Sequence, residues 1–348
     1  MEGVSKKNFY WPILGHKNIS EYLQGLIIGK NFCHTYIFSG SKDIGKKTMA
    51  NCFIQSIFCQ KDKYLEEKNK HFPCGECIDC IEFKKNIHPD LISIDLEEDK
   101  KNISIGSIRE FKEKFYLTPI RSVYKVAMIN NADHLSDEAS NALLKIIEDS
   151  PKNAVVIFIS ENPDFILPTI KSRAENIIFN SVAKDEIFDY LKNSGLDSNN
   201  AKELSEFSAG LPGISMYYSK NLEHWEKYKE DLRNILEIID NPVNDKFKFI
   251  EEQIKLSKTY PNQYIYFDNL LSIYSRFARD LMVYKLNENI DLIHPFLESV
   301  ISKISSKYDS VDLMDFYKKI IDSKKMLYQN VNPKIIFENL LLNNIKKY

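Results

Sequence analysis

The sequence predicts an α/β core on a parallel sheet, followed by two all-helical regions. Three observations predict it. Short apolar runs alternate with helical stretches through the first half, the pattern of parallel strands buried on both faces. The first run feeds directly into a glycine-rich loop with the outline of a phosphate-binding turn. After about residue 180 the strand signal stops and helical periodicity continues to the end. At 348 residues the chain is long enough for two or three domains with real cores.

The elements follow in order. Thr35-Tyr-Ile-Phe-Ser39 is the first strand, and Gly40-Ser-Lys-Asp-Ile-Gly-Lys-Lys47 is the loop. A helix is expected from Lys46 to Phe58 and a second strand at 91–94, preceded by His88-Pro89-Asp90. The stretch 107–115 reads as a helix through Ile108, Phe111 and Phe115. A third strand is expected at 126–129. The next helix is capped by Ser136, with Asp137 and Glu138 in its first turn and Pro151 beyond its end. Ala139, Ala142, Leu143, Ile146 and Ile147 share one of its faces. Strands four and five are expected at 154–159 and 177–179. Short helices follow at 183–192 and 199–207, with Gly195 and Gly210-Leu-Pro-Gly213 as breaks, then a long amphipathic helix at 225–239. Asn241-Pro242 marks a boundary, and Pro261, Pro295 and Pro333 divide the remainder into about four helices. The division expected is 1–180, 181–242 and 243–348.

The loop and the strand facing it each lack the residue that does phosphate chemistry. A working loop places Ser or Thr after its lysine, because that hydroxyl ligates Mg²⁺. Lys47 stands there instead, with Thr48 one residue late. The facing strand should end in acids that hold the metal's water shell, and it ends in Asn130 and Asn131. Gly40, Gly45 and Lys46 can still cradle a phosphate with backbone N–H groups at a helix start, or the loop can persist as a turn alone. Tight ATP binding is not expected. The opposing reading is an active site with Thr48 and Asp133 displaced into working positions.

Bulk properties narrow the partners. Hydrophobic residues make up 43% and charged residues 28%, with a formal net charge of −2. A strongly basic nucleic-acid binder is therefore not expected. Lys6 and Lys7 have no apolar run behind them and no stretch reaches membrane-span length, so a cytosolic protein is expected. Six cysteines there read as thiols or metal ligands rather than disulfides. Cys74-Gly-Glu-Cys77-Ile-Asp-Cys80 places three thiols on one knuckle, which suits a closed structural Zn²⁺ site. Cys59 or His71 supplies the fourth ligand. The alternative is a set of unliganded cytosolic cysteines. Cys33 and Cys52 are expected as small buried apolar side chains.

Taken in order, these features resemble the bacterial DNA polymerase III clamp-loader family of AAA+ proteins, and within it the delta-prime class. Ile13-Leu-Gly-His16 is similar to the family's N-terminal signature, and His34-Thr-Tyr-Ile-Phe-Ser-Gly40 to its first strand. Pro73-Cys-Gly-Glu-Cys-Ile-Asp-Cys80 resembles its zinc knuckle, with His88-Pro-Asp90 following. Ala139-Ser-Asn-Ala-Leu-Leu-Lys-Ile-Ile-Glu148 is similar to its most distinctive helix, and Leu167-Pro-Thr-Ile-Lys-Ser-Arg173 to its Ser-Arg-Cys segment, with Ala174 in place of the cysteine. The matches span about residues 13 to 180. Later, only Asn332-Pro-Lys-Ile-Ile-Phe-Glu338 joins them.

The resemblance implies an AAA+-type core with a zinc knuckle, a helical lid domain and an all-α collar domain. It implies a hetero-pentamer with gamma/tau and delta subunits that places the sliding clamp on primed DNA. Motor subunits of the family keep Lys-Thr at the loop, acids after the facing strand and a lid arginine. This chain has Lys46-Lys47, Asn130-Asn131 and, in the lid, the stretch Gly210-Leu-Pro-Gly213 with glycine where that arginine would sit, which implies a non-hydrolysing member. Arg173 is then expected as a finger acting in trans in a neighbour's ATP site, with Ser172 setting its turn. Outside that resemblance Arg173 reads as an ordinary solvated arginine. The alternatives are an ATP-hydrolysing gamma/tau-type subunit and a zinc-bearing interaction protein on a dead nucleotide fold.

Overall fold

In a computed structural model the chain is described at residues 9–61, 70–97, 102–239, 241–260, 262–287, 292–329 and 331–342. Lys6, Lys7 and residues 343–348 lie outside the described residues. Two compact units emerge: residues up to Glu186 together with Leu211–Gly213, and Ile187–Gly210 together with the chain from Ile214 onward.

The first unit is built on helix α1 (Lys17–Gly29), strand β1 (Thr35–Ser39), α2 (Lys46–Phe58), α3 (Ile78–Lys84), β2 (Leu91–Ile94), α4 (Ile105–Phe115), β3 (Lys125–Ile129), α5 (Asp137–Glu148), β4 (Ala154–Ser160), α6 (Pro168–Lys171) and β5 (Glu175–Ile178). The five strands form one parallel sheet in the order β2-β3-β4-β1-β5. This is the α/β core the sequence predicts.

Alternating strand side chains feed two cores, one on each face of the sheet. Tyr36, Phe38, Val126, Met128, Val155 and Ile157 point to the face covered by Leu23, Ile27, Phe53 and Phe58 of α1 and α2. Ile37, Ala127, Ile129, Val156 and Phe158 point to the face covered by Phe111 and Phe115 of α4 and Leu143 and Ile146 of α5. The expected α5 face is buried at Ala139, Leu143, Ile146 and Ile147, with Ala142 half-buried. Ser136 caps this helix by accepting from the Ala139 N–H at 3.2 Å. Truncating a buried aromatic such as Phe115 to Ala costs about 3–5 kcal/mol.

The second unit is helical: the rest of α7 (Lys184–Asn193), α8 (Ser198–Phe207), most of α9 (Pro212–Lys220), α10 (Leu222–Ile239), α11 (Val243–Ser257), α12 (Gln263–Leu286), α13 (Glu298–Ser305), α14 (Ser310–Tyr328) and α15 (Pro333–Leu342). Among the described residues no helix is long and apolar enough to cross a membrane.

The structure differs from expectation in five places. Helices α1, α3 and α6 were not predicted. β5 starts at Glu175, before its apolar residues, because Glu175 pairs with Tyr36 of β1. Gly210-Leu-Pro-Gly213 is not a simple break: Pro212 opens α9, where its missing N–H costs nothing. Among the described residues five helices rather than about four follow residue 242, because Asp309 starts α14 without a proline by accepting from the Asp312 N–H at 2.8 Å. Cys52 is buried as expected, but Cys33 is exposed, its thiol 3.1 Å from Glu175 Oε2.

Candidate functional site

The glycine-rich loop leaves the C-terminal end of β1 and enters α2, as the sequence implies. Gly40 sits at φ 147°, and a Cβ there would stand 2.5 Å from the Phe179 carbonyl oxygen, so only glycine fits. Lys46 is buried and turned back on its own loop. Its Nζ donates to the carbonyls of Gly40 at 2.5 Å and Ser41 at 2.7 Å. Burial pushes its pKa down, against the opposing charges of Glu161, Asp133 and Asp43. The ammonium that reaches phosphates in a working loop here satisfies backbone oxygens.

Sequence reasoning missed the residue that organises the opposite wall. The register of β2 on β3 pairs Ile94 with Ile129, which brings Asp95 beside Asn130. Asp95 Oδ2 accepts from Asn130 Nδ2 at 3.0 Å and Lys47 Nζ at 3.2 Å. Its Oδ1 accepts from Asn131 Nδ2 at 2.8 Å and the Leu96 N–H at 2.9 Å. A carboxylate has about four acceptor positions, and all are used. Lys47, standing where a metal-binding hydroxyl belongs, puts its own positive charge on this acid. The only signal in the sequence was an acid at the end of the second apolar run, and its meaning depends on strand pairing.

Of the two residues that the displaced reading needs, Asp133 is engaged elsewhere. Thr48 is exposed on the first turn of α2. Asp133 accepts from the Glu161 N–H at 3.2 Å and lies 3.8 Å from His134 Nε2. Gly213, at the end of the Gly210-Leu-Pro-Gly213 stretch, packs its backbone on the loop: its N–H donates to the Asp43 carbonyl at 2.8 Å. A Cβ at Gly213 would stand 2.8 Å from that same oxygen.

Arg173 follows α6, a short helix opened by Pro168 and pinned by buried Ile166 and Ile170. Ser172 shapes the turn, its N–H donating to the Pro168 carbonyl at 2.9 Å and its hydroxyl to the Thr169 carbonyl at 3.0 Å. Arg173 is 44% exposed and pairs with Glu148. Ala174 packs against the core beneath it. Because β5 runs parallel to β1 with Glu175 opposite Tyr36, Arg173 is level with His34. Gly40 lies six residues further along β1, about 20 Å at 3.3 Å per residue. The arginine and the chain's own loop occupy opposite ends of the sheet.

Cys59, Cys74, Cys77 and Cys80 come together, with all four Sγ atoms within 4.8 Å of one another. Cys74 and Cys80 Sγ are 3.9 Å apart, and the edge of a tetrahedron with 2.3 Å metal–sulfur bonds is about 3.8 Å. Backbone N–H groups of Cys74, Cys77 and Cys80 donate to sulfurs of Cys59, Cys74 and Cys77 at 3.4, 3.3 and 3.5 Å. The Cys59 thiol is pulled down to about 6, chiefly by the bond with Cys80, while the same bond pushes Cys80 up. The donor set and spacing fit a closed tetrahedral metal site. His71 is not part of the cluster; its ring packs 5.2 Å from that of Tyr10.

The His88-Pro89-Asp90 signature gains a physical role. Buried Asp90 accepts from the backbone N–H groups of Ile120, Arg121 and Ser122 at 2.7, 2.9 and 2.8 Å. Arg121 in turn reaches Asp79 at 3.2 Å and Glu82 at 2.7 Å on the knuckle helix α3. His88 stacks on Phe58 at 3.9 Å and lies 3.3 Å from Asp79.

Residues 15–183 match the family model described as DNA polymerase III, delta subunit. The chain is 27% identical over 352 residues to the DNA polymerase III subunit gamma of Buchnera aphidicola from Schizaphis graminum, covering 96% of this chain and 94% of that one. It is also 27% identical over 310 residues to the delta′ subunit of Bacillus subtilis, covering 89% and 90%. The delta′ subunit of Pseudomonas aeruginosa is 31% identical over 140 residues, 40% and 41% of the two chains. A solved gamma subunit-related protein of Thermotoga maritima covers 94% of this chain and 99% of its own at 16% identity and a TM-score of 0.47. Equal identity to a gamma and a delta′ subunit reaches the family without separating the two types. The chain belongs to the DNA polymerase III clamp-loader family.

Proposed function

We propose that this clamp-loader subunit is of the delta-prime, non-hydrolysing type. The observation that carries the reading is the fully engaged Asp95, with Lys47, Asn130 and Asn131 bonded to it where a metal and its water would sit. Lys46 folded onto its loop and Gly213 packed against Asp43 support it from two other directions.

In this reading Arg173 acts in trans. Its distance from its own loop suits delivery to a neighbour's ATP site, where a guanidinium binds phosphate oxygens and spreads charge during transfer. Ser172 holds the turn that presents it. The partners are gamma/tau and delta subunits in a pentameric cytoplasmic complex, with the sliding clamp and primed DNA as the objects of its work. Residues 1–180 form the AAA+-type core, 181–242 the lid and 243–348 the collar that holds the ring.

Cys59, Cys74, Cys77 and Cys80 hold a structural zinc ion in this reading. An all-sulfur tetrahedral set leaves no position for water, so the ion contributes fold stability and no catalysis.

The test is reconstitution with gamma/tau and delta subunits, a clamp and primed DNA. The isolated chain should show no ATP turnover, and Arg173→Ala should leave assembly intact while slowing the DNA-stimulated ATPase. Robust hydrolysis by the chain alone, abolished by Lys46→Ala, overturns the non-motor reading.

A further inference from the structure

We infer that Glu148 is a positioning residue for Arg173; this rests on the trans-finger reading above and adds the residue that aims the finger. Glu148 is the last residue of α5, and its Oε1 lies 2.9 Å from Arg173 Nη2. Arg173 Nη1 donates to the Thr169 carbonyl at 3.1 Å and lies 3.4 Å from Ser172 Oγ. The two terminal nitrogens are therefore held by two different elements.

Both holders are rigid. The apolar face of α5 is locked into the core through Leu143, Ile146 and Ile147, and α6 is pinned by Ile170. A planar guanidinium bonded at both Nη atoms has a fixed plane, whereas an unheld arginine samples many rotamers. Glu148 is also poorly placed for its own helix. A carboxylate in the last turn opposes the helix dipole, so its position is not explained by helix stability.

The pair is suited to exchange. Its side chains are 44% and 46% exposed, and an exposed ion pair is weak enough to yield to a phosphate. Glu148 keeps Arg173 aimed between encounters and shares the guanidinium when a phosphoryl oxygen arrives on the remaining donors.

The experiment compares Glu148→Gln, Glu148→Asp, Arg173→Ala and the Glu148→Gln/Arg173→Ala pair in the reconstituted loader. Glu148→Gln should lower kcat about twofold to fivefold, the range open to an exposed ion pair, with KM for ATP unchanged. Glu148→Asp should recover part of the loss, and Glu148→Gln should add nothing once Arg173 is gone. In the isolated chain, side-chain ¹⁵N NMR should show restricted rotation of the Arg173 guanidinium, released in Glu148→Gln. If Arg173→Ala slows the loader while Glu148→Gln matches or exceeds wild type, the positioning role is overturned and the finger stands. If Arg173→Ala has no effect, the finger reading falls and the positioning role with it. Unrestricted Arg173 rotation in the wild-type chain overturns the pairing on its own.

Discussion

Lys47 Nζ stands 3.2 Å from Asp95 Oδ2, tying the first turn of α2 to the end of β2. The pair is half-exposed, so its Coulomb attraction contributes under about 1 kcal/mol. Its importance lies in what it occupies. In the non-hydrolysing reading Lys47 and Asn130 stand where a working ATPase binds metal, and both donate to Asp95.

Asp95→Ala should therefore destabilise far more than Lys47→Ala. Asn130 is buried, and removing its carboxylate partner leaves the amide unpaired at a cost of about 1–3 kcal/mol. Lys47→Ala frees only one of four bonds to Asp95 and should cost about 0.5 kcal/mol. Urea midpoints of the two variants decide the matter; equal losses would contradict this account of the wall.

Gly213→Ala tests the loop's other contact. The added Cβ meets the Asp43 carbonyl oxygen at 2.8 Å, against backbone that cannot rotate away. Overpacking of this kind costs about 1–3 kcal/mol, so thermal unfolding should move clearly downward. Gly213→Arg should behave no better and should not confer ATP turnover, because Lys46 and Asp95 remain as they are. An unchanged Tm in Gly213→Ala would show that the loop gives way freely.

Much of this was readable in the chain. Strands β1, β3 and β4 announced themselves because each is buried on both faces and almost wholly apolar, and α5 did so because cap, charge and period agree. Cys74, Cys77 and Cys80 were readable as a set from their spacing, and it is the fold that brings Cys59 rather than His71 to them. What stayed hidden depends on partners distant in sequence. Asp95 is unremarkable until β2 lies on β3, and Asp90 until the 120–122 turn lies over it. Cys33 was misjudged because a lone cysteine carries no periodicity to say which way it faces.

Removing metal from the knuckle should loosen more than the knuckle. Cys77 caps α3, whose Asp79 and Glu82 hold Arg121. Cys77→Ser, or chelation, should lower metal content from about one equivalent and raise hydrogen exchange in residues 120–122 as well as 74–80. The core strands β1 and β4 should keep their protection. Exchange confined to the cysteines would show that α3 does not depend on the site.

The second unit carries a buried chain of hydrogen bonds with a defined pH signature. Asp280 Oδ2 accepts from the His294 backbone N–H and from Nδ1, both at 2.8 Å, and Oδ1 accepts from the Ile293 N–H at 2.9 Å. With Nδ1 donating, Nε2 of a neutral imidazole accepts from the Tyr228 hydroxyl at 2.7 Å. Burial holds the His294 pKa below its ordinary 6.5. Burial pushes Asp280 up, but bonds from His294, Ile293 and Arg279 outweigh it and leave the carboxyl below its ordinary 3.8. Both shifts make the unfolded chain bind protons more readily, so stability rises with pH across each window. His294's contribution is present above about pH 6.5 and is lost as pH falls below it; Asp280's is lost only further down, below about 3.8. In a Trp11→Phe background, fluorescence of buried Trp225 should report a urea midpoint that drops between pH 7.5 and pH 5. His294→Gln should shrink that drop. Tyr228→Phe should cost about 1–3 kcal/mol at pH 7.5 by leaving Nε2 unpartnered. A urea midpoint that stays flat between pH 7.5 and pH 5 would mean that His294 takes up a proton in the fold as readily as in the unfolded chain.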